Sequence, residues 1–274
     1  MTSRPRPFVL GPSLLFCPAD RPERYAKAAE RADAVILDLE DAVAPADKAA
    51  ARRHLIDNPL DPARTMVRIN PLGTPESKLD LAALKRTDYR TIMTAKAENG
   101  DAISGIPGYD VVALCETALG VLAAPVIARI PNVVALMWGA EDLVASLGGS
   151  SSRREDGSYR AVAMHARSSV LIAAAAHGKA AIDAVYINIA DVEGLGAEVR
   201  DAVASGFAAT ACIHPGQVAT IRAAYRPSAE QVAAAQELLA AAGAAGSGVF
   251  QYQGRMIDGP ILKHAEQTLR RASM

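Results

Sequence analysis

Apolar and polar positions follow two alternating rhythms along this 274-residue chain. Eight short apolar runs recur, at residues 12–17, 34–39, 65–70, 91–95, 111–116, 133–139, 184–189 and 208–214. Each is nearly free of charge until its last residues, as expected of a strand buried on both faces. Between most of them lie stretches with helical spacing, at 22–32, 45–57, 77–85, 118–130, 164–177 and 192–205. The first of these opens on Pro22, a residue suited to a first helical turn. Strand followed by helix, repeated over most of the chain, predicts an α/β fold of the (β/α)8 TIM-barrel type. A doubly wound open sheet is the alternative. It would want a Gly-x-Gly-x-x-Gly turn after the first strand, where the chain instead reads Cys17-Pro18-Ala19-Asp20.

After the eighth run the pattern changes. Residues 229–245 form an alanine-rich helix that ends in Gly246-Ser247-Gly248, a flexible joint. A short strand at 249–252, a turn at 253–255 and a last helix at 261–271 follow. The expected organisation is a barrel over 1–228 and a C-terminal helical extension over 229–274, packing on the barrel or on a neighbouring subunit. Residues 146–160, rich in Gly, Ser and charge, interrupt the barrel rhythm. They read either as a mobile loop over the site or as a solvent loop without a role.

Composition narrows the class. Half the residues are apolar, enough for a sizeable core, while aromatics are only 4 %. Together with a net charge of −1, this argues against nucleic-acid binding by stacking or by a global positive field. Cys17, Cys115 and Cys212 all sit in apolar runs with no CxxC pair, and read as buried thiols of a reducing compartment. Residues 1–7 lack an apolar signal core, and no stretch approaches a membrane span. The expectation is a cytoplasmic protein with no membrane partner.

Chemistry gathers where the strands end. Asp38, Glu40 and Asp41 crowd the end of the second run, with Asp38 and Glu40 on one face. Three carboxylates so close call for a cation or an arginine. A helix N-terminus would account for Asp41, but not for Asp38 inside an apolar strand. Arg68 lies among apolar residues on the third run and needs an anionic partner, either a substrate carboxylate or Asp38 and Glu40. Lys96, after the fourth run, reads as a charge partner, with Schiff-base nucleophile and solvated side chain as alternatives. Glu116 and Asp142 end the fifth and sixth strand regions and are the candidate ligands of a hard divalent cation, Mg2+. No HExxH or HxH is present to suggest zinc. The backbone of Gly139, Ala140 and Glu141, entering a helix, offers N–H donors to a carboxylate. His214 reads as a structural histidine, and Asp258 by its surroundings as an ordinary turn aspartate.

Six motifs in order carry a resemblance. They are Ser13-Leu14-Leu15-Phe16 with Pro18-Ala19-Asp20-Arg21-Pro22, Leu37-Asp38-Leu39-Glu40-Asp41-Ala42-Val43, Val67-Arg68-Ile69-Asn70, Glu116-Thr117-Ala118, Gly139-Ala140-Glu141-Asp142-Leu143 and Ile213-His214-Pro215-Gly216-Gln217. Together they resemble the citrate-lyase beta-subunit-like proteins of the HpcH/HpaI aldolase superfamily, which also holds malyl-CoA lyases. Thr210 and Ala95 stand where members often carry lysine and proline.

The resemblance implies a (β/α)8 barrel, a homotrimer, Mg2+ on Glu116 and Asp142, and substrate binding by Arg68. It also implies that Asp258, in a Gly-x-Met-x-Asp segment, acts in the active site of the adjacent subunit. The function so implied is Mg2+-dependent cleavage, or Claisen-type formation, of a carboxylate-bearing 3-hydroxyacyl thioester, citryl-CoA- or malyl-CoA-like. The substrates would be a small oxoacid and a CoA-type thioester. Glu40, Asp38 and Lys96 would orient Arg68 and the metal waters. Two other readings stand beside it: a metal-dependent class II aldolase acting on free oxoacids, and a non-catalytic subunit of a larger lyase complex.

Overall fold

The computed structural model describes residues 7–246 and 248–273. Eight parallel strands pair in sequence order and close, β1 (Ser13–Pro18), β2 (Ala34–Asp38), β3 (Thr65–Ile69), β4 (Thr91–Thr94), β5 (Asp110–Cys115), β6 (Val133–Trp138), β7 (Ala180–Asp183) and β8 (Ala209–Cys212). Closure through β1 and β8 excludes the doubly wound sheet. Helices α1 (Tyr25–Arg31), α2 (Lys48–Asp57), α3 (Pro75–Leu84), α4 (Gly100–Ser104) and α5 (Ala118–Ile127) follow the first five strands in turn. Two helices, α6 (Ala140–Ser146) and α7 (Ala161–Ala176), separate β6 from β7; α8 (Val192–Ser205) precedes β8 and α9 (Val218–Tyr225) follows it. No helix among the described residues is long and apolar enough to cross a membrane.

One expected strand was misplaced. The run at 184–189 is not paired; the seventh strand is Ala180–Asp183, in register with Ala135–Met137 of β6. The β-branched and aromatic residues Val185, Tyr186 and Ile187 carry the stronger strand propensity. Closing the barrel instead recruits the short segment that leaves α7 directly beside β6. Tertiary pairing overrides local preference here.

Strand alternation fills the barrel and then loads its mouth. Ala34 and Ile36 of β2, Met66 of β3, Val112 and Leu114 of β5, and Met137 of β6 belong to the interior core cluster. Two residues further along the same faces come Asp38, Arg68, Glu116 and Gly139. The inward face is thus apolar through the barrel and charged at its C-terminal end. All three cysteines are buried and unbridged.

The chain divides into two compact units, Met1–Ile221 and Arg222–Met274. The second holds α10 (Ala229–Ala245), a hairpin of β9 (Phe250–Tyr252) and β10 (Arg255–Ile257), and α11 (Gly259–Ala272). Helix α10 packs along α11. Gln253 and Gly254 both take positive φ (48° and 75°) in the two-residue turn, which suits the twist of a tight hairpin.

Candidate active site

Adjacent strand ends bring Asp38 and Arg68 together as register partners. Arg68 Nε donates to Asp38 Oδ1 at 2.7 Å and Nη2 to Oδ2 at 2.5 Å, a two-pronged contact between two nearly buried groups. Nη1 lies 3.3 Å from Glu40 Oε2, and the guanidinium carbon sits 4.8 Å from the Phe16 ring centroid. Burial works against the arginine's charge, but the Asp38 and Glu40 carboxylates hold its pKa above the ordinary value. Burial pushes the Glu40 carboxyl upward, opposed by Arg68 and Lys96.

Lys96 sits at a turn after β4 with φ 48°, a left-handed conformation uncommon for a residue with a side chain. That turn sends its two ends to different carboxylates. Its backbone N–H donates to Glu116 Oε1 at 3.0 Å. Its ammonium makes a very short contact to Glu40, a 3.2 Å contact to Asp41 Oδ2, and lies 3.8 Å from Asp142 Oδ1. Burial opposes the ammonium's charge, yet Glu40 and its acidic neighbours hold its pKa above the ordinary value.

Glu116 is 2 % exposed. Burial, followed by the like charge of Asp142, pushes its carboxyl up to about 8. A buried carboxylate facing the half-buried Asp142 is a standing demand for positive charge. Gly139 leaves the room Glu116 needs, since a Cβ there would lie 2.9 Å from Glu116 Cβ and 3.0 Å from Oε2. Among the described residues, no group of three or more His, Cys, Asp or Glu gathers as a metal cluster. The pair therefore fits an oxygen-loving cation that keeps most of its coordination for water and substrate, the habit of Mg2+.

Helix α6 starts at Ala140, and no side chain caps its first N–H groups. Glu141 turns its carboxylate elsewhere, accepting from Ser152 Oγ at 2.6 Å. The 146–160 segment is folded and anchored. Ser152 and Tyr159 are buried, and Arg153 and Tyr159 form an isolated bridge. Arg153 pairs with Glu198 Oε2 at 2.8 Å and stacks 3.8 Å from the Tyr159 ring centroid. Tyr159 also meets Trp138 edge to face at 5.2 Å. Behind the strand end, Trp138 Nε1 donates to Asp183 Oδ1 at 2.6 Å, and Arg167 of α7 donates to both oxygens of the same carboxylate.

Asp38, Glu40, Arg68, Lys96, Glu116 and Asp142 thus meet through contact or charge, with Gly139 beside Glu116. Exposed His214 accepts from Gly216 N–H at 3.1 Å, a local structural bond. Asp258 belongs to the second unit, where it precedes α11 in extended backbone and its side chain does not cap the helix. Lys48, Asp80 and Asp183 do not stand out in the sequence, and Asn70 does so only as the end of the Val67–Asn70 motif, although each holds part of the mouth. Their partners are mainly backbone carbonyls or residues distant along the chain, which spacing does not reveal.

Residues 12–215 match the family described as HpcH/HpaI aldolase/citrate lyase. A citrate lyase subunit beta-like protein of Mycobacterium tuberculosis is 56 % identical over 262 residues, covering 96 % of each chain. The mitochondrial citramalyl-CoA lyase of Homo sapiens is 30 % identical, over 95 % of this chain and 85 % of the relative. Among solved structures, CitE of Mycobacterium tuberculosis in complex with magnesium, acetoacetate and coenzyme A superposes with a TM-score of 0.92 at 54 % identity, each chain covered in full.

Proposed function

The chain belongs to the HpcH/HpaI aldolase/citrate lyase family, as a magnesium-dependent carbon–carbon lyase, and we propose that it acts on a carboxylate-bearing 3-hydroxyacyl thioester of CoA, citryl-CoA- or malyl-CoA-like. The observation that carries this reading is the buried Glu116, forced to share its surroundings with Asp142 at the mouth that also holds Arg68. Glu116 and Asp142 would hold Mg2+, which when bound supplies Lewis-acid polarisation of the substrate's oxygens.

The protein's own groups do the rest. Arg68, stiffened by Asp38 and Glu40, presents a cation to the oxoacid portion of the substrate. The uncapped N–H groups at the start of α6 receive its carboxylate. Lys96 draws Glu40 and Asp41 together and keeps their charge away from the substrate. In cleavage, the 3-hydroxyl passes its proton, by way of water, to the Asp258 carboxylate, the C2–C3 bond breaks with its electrons going to C2, and an oxoacid leaves. The C2 carbon of the acetyl thioester then takes one proton, so the exchange balances. We assign that proton to Asp258, acting in the site of an adjacent subunit of a homotrimer. A carboxyl group free of helix-capping duty is able to serve so.

The test offers the isolated protein Mg2+ with acetyl-CoA and glyoxylate, and separately pyruvate with an aldehyde. Condensation of the first pair, abolished in Asp258→Asn, is expected. Turnover of the second pair alone would make it an aldolase on free oxoacids, and no turnover of any thioester would leave it a subunit of a larger complex.

A further inference from the structure

The two peptide groups that follow Leu39 and Glu40 are gripped from both sides. On the inner side, Glu40 N–H donates to Asp38 Oδ1 at 2.9 Å and Asp41 N–H to Glu40 Oε2 at 3.1 Å. On the outer side, the carbonyls of those same peptides meet one ammonium. Lys48 Nζ donates to Leu39 O at 2.8 Å and to Glu40 O at 2.9 Å. Its third bond goes to Asn70 Oδ1 at 2.8 Å. All three bonds of this lysine therefore end on neutral oxygens.

Asn70 is fixed in turn. Its Nδ2 donates to Leu39 O at 3.0 Å and to Asp80 Oδ2 at 2.7 Å, and its backbone N–H reaches the same Asp80 oxygen at 2.9 Å. Asp80 is fully buried and is held by Arg52 Nε at 2.7 Å. A lysine at the first position of α2 and an aspartate in α3 thus converge on one short stretch of main chain.

A cation against the oxygen of a peptide polarises it and strengthens the donor at its other end. Here both strengthened donors point at the carboxylates that hold Arg68 and Lys96. We propose that Lys48, supported by Asn70 and Asp80, is a positioning residue of the barrel mouth. It fixes the peptides of residues 39–41, through them the Asp38 and Glu40 carboxylates, and so the orientation of Arg68. The inference rests on the role given above to Arg68 in binding the oxoacid.

The experiment is a two-by-two cycle of wild type, Lys48→Met, Glu40→Gln and the double variant. Calorimetry reads the affinity for pyruvate in saturating Mg2+, and separately the affinity for Mg2+ alone. Lys48→Met is expected to weaken pyruvate about tenfold and to leave Mg2+ within about twofold. With Glu40→Gln in place, the same change is expected to cost less than about threefold, because residues acting through one another are not additive. Equal losses in both backgrounds, or an unchanged pyruvate affinity in Lys48→Met, would overturn the proposal. So would a parallel loss of Mg2+ binding, which marks general damage. If Lys48→Met does not fold, Lys48→Gln, which keeps a donor for one carbonyl, goes through the same cycle. A wild type that binds no pyruvate refutes the role of Arg68 itself; a wild type that binds it but shows an additive cycle refutes only the positioning by Lys48.

Discussion

A carboxyl as dry as that of Glu116 ionises readily only when positive charge comes to it. Its pKa rises from an ordinary 4.5 to about 8, through burial first and Asp142 second. Between those values the folded, metal-free protein holds a proton that the unfolded chain has lost. Stability therefore falls as pH rises through this window and levels off above about 8. Glu116→Gln removes that ionisation. Its metal-free melting temperature is expected to match or exceed wild type by a margin that widens from pH 5 to pH 8 and then stays constant. The gain is on the order of 2–4 °C for each kcal/mol recovered. A margin that shrinks with pH contradicts the assignment. The same variant is expected to lose Mg2+ affinity by at least about 100-fold, beyond the usual cost of removing an outer partner. At this scale the sequence was informative where charge interrupts an apolar strand. Asp38, Arg68 and Glu116 all stand out as charges inside or at the end of an apolar run. Lys48 and Asp80 do not, since they lie in polar helices where any lysine or aspartate is at home.

Elements were legible wherever period and propensity agreed. They failed at β7, where Val185, Tyr186 and Ile187 drew the strand four residues too late. They also failed to distinguish a loose loop from the anchored 146–160 segment, whose attachments run to Glu141, Trp138 and Glu198. The junction of β6 and α6 depends on two contacts that can be tested. Gly139 has φ −132°, which alanine tolerates, so Gly139→Ala acts only through its new Cβ against Glu116. It is expected to weaken Mg2+ by roughly 10- to 100-fold and to cost about 1–3 kcal/mol of stability, because the buried Glu116 must shift to admit the new Cβ. Asp183→Ala acts by removal. It strips Arg167 of its buried carboxylate partner and leaves it Asp201, which is 60 % exposed, and the Phe207 ring. Circular dichroism melting is expected to show a loss of about 3 kcal/mol, the low end for a broken buried pair because Asp201 remains.

For the whole molecule, a closed barrel leaves no free sheet edge, so its chemistry depends on what its mouth and its neighbours supply. If Asp258 serves an adjacent subunit, two dead variants can revive each other. Asp258→Asn and Glu116→Gln, mixed equally after dissociation and reassembly, are expected to regain about a quarter of wild-type turnover, as random assembly across a head-to-tail interface gives. A mixture as inactive as its parts places Asp258 in its own chain's site. Such assembly need not be followed by turnover alone. The chain carries a single tryptophan, and it is Trp138, wholly enclosed, hydrogen-bonded to Asp183 and one residue from Gly139. Its ultraviolet emission has one origin, at the junction where β6 hands over to Asp142, so the protein carries its own unlabelled optical gauge of events at the cation site.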